Sequence, residues 1–447
     1  MDEPTQPQPS IDLVGGPFAV IESDPGVFTS LIRKLGIQGI EVEEIYDIQS
    51  TLNQLKPKGL ILCFVWSHDK HHPNDFLDPA AQNVWFANQV IDDACGSLAI
   101  LNVLFNCPGV HLGEELSAFK AETSEMSPVM KGLAISNLHS LRAIQNSLAR
   151  PADIWGSLSA IAETTRDAAK AAAKPAKKRK RTDWSETSRK SSSAKNKKSS
   201  SEDEVETFHF IGYVPAFGKV WELDGLKSGP LEVGELPSAG STAGWEDVVR
   251  PALRLKMEKY GAAEVEGGSI QFNLMALVED RYQSKSDEME YMKRRRRMLE
   301  RRLTEEYGVN WQAMVTDGIF FALFLRLSNY LRSTSVQSPE FGPAFATDFG
   351  HRRMESDADI LNLPTAELLN AWRSCVANAL PVKVSIEEEI LKATQARTEN
   401  IKRAHDYEPF IRNFIMELHN EGKLAELLPQ NKSKAKTNGQ KSNGKLE

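Results

Sequence analysis

An α+β fold, with an antiparallel sheet flanked by helices, is predicted by three features of this 447-residue chain. Short apolar or alternating runs bounded by turn residues recur at 18–22, 41–48, 59–66, 208–214, 219–224 and 270–278 and read as strands. Longer segments with helical spacing of their apolar residues lie between them. Two of the strands are separated only by Pro215-Ala-Phe-Gly218, a turn that makes them an antiparallel hairpin.

Residues 18–22 form the first strand. Asp24 and Pro25 then start a helix as N-cap and first-turn residue, with Val27, Leu31, Ile32 and Leu35 on one face and Gly36 at its end. Strands at 41–48 and 59–66 come next, and helices carry Gln89, Cys95 and the 114–120 region, with another over 138–148. After the hairpin, a helix over 245–260 and a strand over 270–278 complete the domain.

A hydrophobic content of 41% over this length supports one sizeable core and a smaller appended unit. Four cysteines without paired spacing, and a polar, Pro-rich leader over 1–16 in place of a signal peptide, point to a reducing compartment. No apolar run reaches the ~18 residues of a membrane span; the nearest, 319–331, is interrupted by Arg326 and reads as a core helix. His68, Asp69, His71, His72 and Asp75 cluster locally, but no Cys accompanies them and their spacing fits no structural zinc pattern, so they read as a polar loop.

One constellation carries chemistry. Cys95 opens the run Leu98, Ile100, Leu101, Val103, Leu104 and Phe105, long enough for a buried helix whose positive dipole end faces the sulfur. A thiol there, beside an imidazolium, is expected to titrate at roughly 3.5–7.5 rather than about 8.5. His209 lies in one strand of the hairpin and Asp224 at the end of the other, so the hairpin brings them to one region of the sheet. Cys95 is then a nucleophile, His209 its base and Asp224 the group that holds the imidazole tautomer. Gln89, six residues before the Cys, and the Cys95 backbone N–H become oxyanion donors. The set is that of a thiol hydrolase and calls for no cofactor and no metal. Cys63, Cys107 and Cys375 lack such a setting and read as core thiols.

These residues stand among stretches that resemble the ubiquitin C-terminal hydrolase (UCH) family of papain-like cysteine deubiquitinases. They are Ala19-Val-Ile-Glu-Ser-Asp-Pro-Gly-Val-Phe28, Gly39-Ile-Glu-Val-Glu-Glu-Ile45, Phe86-Ala-Asn-Gln89, Ala94-Cys-Gly96, Leu112-Gly-Glu-Glu-Leu116, Lys131-Gly-Leu-Ala-Ile-Ser-Asn137, residues 208–214 and Ile270-Gln-Phe-Asn-Leu-Met-Ala276. The resemblance covers most of 17–280. It implies a papain-like UCH fold, cleavage after the ubiquitin C-terminal Gly-Gly, ubiquitin and its conjugates as partners, and the roles given above to Gln89, Cys95, His209 and Asp224. Asp93 departs from it, standing where the family has Asn; a carboxylate two residues before the nucleophile tends to raise the thiol pKa.

Outside that core the pattern changes. Residues 151–207 are Ala-, Lys- and Ser-rich and read as an enlarged, disordered crossover loop, by the resemblance the segment arching over the active-site cleft. Its Lys177-Lys-Arg-Lys-Arg181 reads as a nuclear import signal; aromatic residues are almost absent, so nucleic acid is not the expected partner. Residues 281–384 read as a charged helix followed by an irregular insertion. Met289, Met292, Leu299 and Leu303 lie on a heptad-like seam that includes Arg296, compatible with a two-helix contact or with an exposed helix.

Residues 385–430 read as a helical extension. Ser385-Ile-Glu-Glu388 is a capping box expected to open a helix, and Pro409 opens another with Phe410, Ile411, Phe414, Ile415 and Leu418 on one face. The phrase from Thr398 to Ile411 resembles the adaptor-docking extension of long UCH enzymes, which implies a proteasome adaptor around Phe410, Phe414 and Ile415 and a protein both cytoplasmic and nuclear. A polar tail covers 431–447. The alternatives are a nuclear chromatin-associated UCH enzyme, an inactive ubiquitin-binding scaffold and a thiol acyltransferase; the intact site set opposes the scaffold, and the UCH-like stretches beyond the site oppose the acyltransferase.

Overall fold

Local chemistry sets the boundaries of the first helix, α1 (Pro25–Lys34). Asp24 Oδ1 accepts the Val27 N–H at 2.9 Å, Pro25 occupies the first turn, where its missing N–H costs nothing, and Gly36 leaves the helix with φ of +83°. Val27, Phe28, Leu31 and Ile32 are buried. The computed structural model describes residues 16–65, 78–91, 93–173, 208–238, 243–261, 272–314, 345–346 and 348–427.

Six strands make one antiparallel sheet in the order β1-β6-β2-β3-β4-β5. They are β1 (Ile40–Glu44), β2 (Gly59–Val65), β3 (Phe208–Ala216), β4 (Lys219–Leu223), β5 (Leu231–Glu235) and β6 (Phe272–Glu279). The register sets Cys63 opposite Phe210, Phe64 opposite His209 and Tyr213 opposite Glu222. Adding the short α2 (Thr51–Leu55), helices cover both faces, so the fold is α+β.

On one face lies α3 (Cys95–Leu104), buried over nearly its whole length and surrounded by α1, α4 (Gly113–Thr123), α5 (Pro128–Ser136) and α6 (His139–Asn146). A helix that is apolar all round has to be interior. Its seat is cut by glycines: a Cβ on Gly59 of β2 would lie 2.2 Å from Val103, and one on Gly212 of β3 2.5 Å from it. Val103 therefore fills a notch that only two missing side chains can make. On the other face α8 (Trp245–Gly261) lays Val249 and Leu253 on Leu60, Leu62, Ile211, Tyr213 and Leu274.

Three further helices form a separate core: α9 (Arg281–Tyr307), α10 (Phe349–Asn362) and α11 (Leu368–Ala404). Met289, Leu299 and Leu303 of α9 meet Trp372, Val376, Ala379 and Val382 of α11. Of the two readings of the charged seam, a two-helix contact is the one found. Arg296 is tolerated in it because its Nε donates to Glu300 Oε1 at 2.7 Å. The described residues from His405 onward belong to a second unit, with α12 (Glu408–Asn420) and α13 (Leu424–Leu427).

Several expectations need correction. Residues 18–22 are extended but not a strand, because side chains of α6 replace a strand partner: Asn146 Oδ1 accepts the Ala19 N–H at 2.8 Å and Gln145 Nε2 donates to the Ala19 carbonyl at 2.7 Å. Gln89 lies in extended chain, not a helix. The crossover segment is helical over its first part, as α7 (Pro151–Ala173), where Pro151, Asp153 and many alanines favour a helix that low apolar content does not forbid.

Ser385 opens no helix either. It lies inside α11, whose apolar stripe from Leu368 to Ile386 keeps packing against α9 and carries the helix through Pro381 and the capping-box sequence. Helices α10 and α11 likewise replace irregular chain over 349–362 and 368–384. The leader, the His68–Asp75 cluster, the basic run at 177–181, the insertion over 317–344 and the tail over 431–447 lie outside the described residues.

Gly212→Ala should destabilise the protein by roughly 1–3 kcal/mol in denaturant unfolding, the usual scale for one methyl forced into a packed core. Adding Val103→Ala should recover part of that loss, since the clash is with this side chain; equal or greater destabilisation of the pair would show that the notch is not what seats α3.

Candidate active site

Cys95 is the first residue of α3, and Ala94 before it supplies no side-chain cap. The first N–H groups of the helix are left for another acceptor; those of Cys95 and Gly96 act on the Cys95 sulfur, as does the N–H of Phe210 in β3. The helix start thus meets the strand that carries His209. Burial, followed by the charge of Asp93, outweighs these N–H groups and pushes the Cys95 thiol up to about 12. The helix start by itself does not give the thiol a low pKa: burial is the larger influence, and the N–H groups only partly offset it. Burial raises Cys63 and Cys107 to about 12 as well, and Cys375 to about 11.

His209 and Asp224 are both buried and joined by a 2.7 Å hydrogen bond from His209 Nε2 to Asp224 Oδ1. Burial by itself would raise the Asp224 carboxyl, but the hydrogen bond and charge of His209, the Leu226 N–H and the Lys256 ammonium hold it below the usual range. An ionised carboxylate only accepts, so Nε2 carries the proton and Nδ1 is left as the basic nitrogen. Asp224 also caps its own turn, taking the Leu226 N–H at 3.0 Å.

Gln89 is held by its backbone, whose N–H donates to Gly225 O at 2.9 Å. Neighbouring Asn88 donates to Gly225 O at 3.1 Å and Lys227 O at 2.6 Å, so this segment is sewn to the loop that follows Asp224. Gly225 has to be glycine, since a Cβ would lie 2.5 Å from Leu98 and 3.1 Å from the Gln89 nitrogen. The Gln89 side-chain oxygen is buried with no hydrogen-bond partner among the described residues. Such an unpaired carbonyl end costs about 1–3 kcal/mol in a folded interior.

The sequence reading missed the residues that hold these parts in place. Asn102 of α3 and Asn106, in the turn that follows the helix, act as a strand partner for the chain that leads to Gln89. Asn102 bonds both backbone groups of Ala87 at 2.9 and 3.2 Å, and Asn106 both of Trp85 at 2.8 Å. Gln145, fully buried on α6, donates to Ala19 O and to Asp93 O at 2.8 Å and accepts from Ser97 Oγ at 2.5 Å. It anchors Asp93, whose φ of +64° is the left-handed conformation that Asn and Asp enter more readily than other side-chain-bearing residues. Amides spaced along apolar helix faces were the only signal available. The Asp93 carboxylate accepts from Ser157 Oγ of α7 at 3.3 Å.

Comparison with known proteins adds an independent finding. A family model described as ubiquitin carboxyl-terminal hydrolase, family 1, matches residues 18–258, and one described as ubiquitin carboxyl-terminal hydrolases matches 381–424. The chain is 31% identical over 420 residues to ubiquitin carboxyl-terminal hydrolase isozyme L5 of Dictyostelium discoideum, covering 93% of this chain and 95% of that protein. It is 32% identical over 282 residues to ubiquitin carboxyl-terminal hydrolase ubh-4 of Caenorhabditis elegans, covering 62% and 71%. Among solved structures, the catalytic domain of Trichinella spiralis UCH37 bound to ubiquitin vinyl methyl ester is similar at 30% identity, over 59% of this chain and 97% of that one, with a TM-score of 0.41.

Asp93→Asn removes a negative charge that raises the Cys95 thiol while keeping a residue type that tolerates the left-handed backbone. Alkylation of Cys95 should therefore reach half-maximal rate at a lower pH than in the wild type; an unmoved midpoint would show that the Asp93 charge does not reach the sulfur.

Proposed function

The chain belongs to ubiquitin carboxyl-terminal hydrolase family 1, and we propose that in this thiol-dependent ubiquitinyl hydrolase Cys95 is the nucleophile, His209 the base, Asp224 its orienter and Gln89 an oxyanion donor. One observation carries the assignment: His209 Nε2 is committed to a buried, ionised Asp224, which leaves Nδ1 to take a proton on the strand whose next N–H meets the Cys95 sulfur. The thiol proton passes to Nδ1 and the sulfur attacks the carbonyl carbon of the ubiquitin C-terminal glycine. The carbonyl electron pair moves to oxygen, where the Cys95 N–H and the Gln89 amide donate. Collapse expels the amine, which takes the proton back from His209. Water, deprotonated in turn by His209, cleaves the thioester and restores the thiol.

A thiol at about 12 in the free protein gives this scheme a specific shape. The reactive form is the thiolate–imidazolium pair, in which His209 supplies the positive charge that burial otherwise denies the sulfur.

The extension supports a finer reading. None of the residues of α12 is buried; Phe410, Ile411, Phe414 and Ile415 are all exposed, with the two phenylalanine rings stacked 6.2 Å apart. An amphipathic helix with an uncovered apolar stripe is a docking element. It is taken as the site for a proteasome adaptor, in keeping with a role in ubiquitin-dependent protein catabolism. The basic run at 177–181 supports nuclear entry beside a cytoplasmic pool. Among the described residues, no helix is long and apolar enough to cross a membrane.

Cys95→Ala should abolish hydrolysis of a ubiquitin conjugate and labelling by an electrophilic ubiquitin probe while ubiquitin is still bound. Gln89→Ala should keep the fold and lower the acylation rate by about 10²–10³. Persistent labelling of the Cys95 variant, or an unchanged rate in the Gln89 variant, contradicts the assignment.

Burying each phenylalanine is worth roughly 1.5–3 kcal/mol, so Phe410→Ala with Phe414→Ala should weaken adaptor docking by about two orders of magnitude or more. Co-purification with proteasome subunits should be lost while probe labelling and helicity stay intact. Retained co-purification would remove α12 from the docking site.

A further inference from the structure

The face of the sheet opposite α3 carries a charge network that the hydrolytic steps do not use. Glu222 of β4, two residues before Asp224, is buried at 3% exposure. Its Oε1 takes the Lys256 Nζ of α8 at 2.5 Å and its Oε2 takes the Tyr213 hydroxyl of β3 at 2.9 Å. The same ammonium lies 5.9 Å from the centre of the Phe64 ring, within the range in which a cation is drawn to an aromatic face. Phe64 in turn meets the His209 imidazole edge to face, with ring centres 5.8 Å apart. Lys256 also acts on Asp224 through space. From α8 to the imidazole, then, each member touches the next.

An ion pair buried between helix and sheet is no cheaper than an apolar pair of the same volume and is often less stable. Covering the sheet does not require it. What the pair adds is electrostatic: two opposite charges, largely withdrawn from solvent, of which the Lys256 ammonium reaches Asp224.

Resting on the assignment of His209 and Asp224 above, we propose that Lys256, held by Glu222, is a positioning residue of the active site: it fixes Phe64 against the imidazole and, through its balance with Glu222, sets the pH range in which the Cys95–His209 pair works. The remaining groups around that pair are Asp224, the Cys95 thiol, Cys63 on β2, Asp93 before α3 and the Tyr213 hydroxyl. They are the same in every variant below and cannot produce a difference between them.

The test is the pH profile of kcat/KM for a ubiquitin conjugate with a fluorescent leaving group, measured on the full chain. Lys256→Met leaves the Glu222 carboxylate uncompensated, which favours the imidazolium and disfavours the thiolate, so both limbs should move to higher pH. Glu222→Gln leaves the ammonium uncompensated, and both limbs should move to lower pH. Each shift should be roughly half to one pH unit, the effect of a unit charge acting over ~10 Å at an effective dielectric of ~20–40. The double variant should return close to the wild-type profile, and Lys256→Arg should keep it.

Limbs that stay in place, or that move the same way in both single variants, overturn the proposal, since a purely structural pair lowers activity without opposite shifts. If Lys256→Met fails to fold by circular dichroism, the isosteric Glu222→Gln decides alone, and unshifted or raised limbs overturn it. Hydrolysis surviving in Cys95→Ala would instead overturn the assignment on which the proposal rests.

Discussion

The close approach of α3 to β2 and β3 is the constraint from which the rest of the site follows. Val103 enters the notch left by Gly59 and Gly212, so the helix axis lies nearer the sheet than ordinary side chains permit, and its first turn reaches the start of β3. Cys95 and the Phe210 N–H meet for that reason. The apolar length of the helix, with Leu98, Ile100, Leu101 and Leu104 all buried, supplies roughly 1.5–3 kcal/mol per side chain to hold it there. Burial around Cys95 is also what pushes its thiol pKa up.

Polar side chains do the work of a missing strand around this helix. The extended segments at 17–19 and 85–89 have no ladder partner, yet a buried backbone amide without a partner is expensive. Asn102, Asn106, Gln145 and Asn146 satisfy them instead. Because Gln145 also holds Asp93 and Ser97, it joins the amino-terminal segment, the turn before Cys95 and the first turn of α3. Loosening any of the three would loosen the others.

Helices α9 to α11 extend this design rather than stand apart from it. Lys392 of α11 pairs with Glu43 of β1 at 2.9 Å, Arg403 with Glu22, and Ala396 sits against Gly26 of α1. A charged sequence that looks solvated is therefore a packed layer whose cations are paired with carboxylates: Arg281 with Glu43 of β1, and Arg296 with Glu300 one turn along α9.

Much of this was legible in the sequence wherever the signal is local. Asp24 followed by Pro25 marks α1, the apolar runs mark β2 and β3, and the turn at 215–218 makes the hairpin that joins His209 to Asp224, because each depends on residues a few positions apart. Motif spacing likewise pointed to Cys95 and Gln89. Only the tertiary structure decided that Gln89 lies in extended chain, that 151–173 is helical, and that α11 runs through Ser385, since an apolar surface or a hydrogen-bond partner from elsewhere overrides local preference. It also decided the state of the thiol. The helix dipole can be read from residues near Cys95, but desolvation is a sum over everything packed around the sulfur, and no stretch of sequence contains that sum.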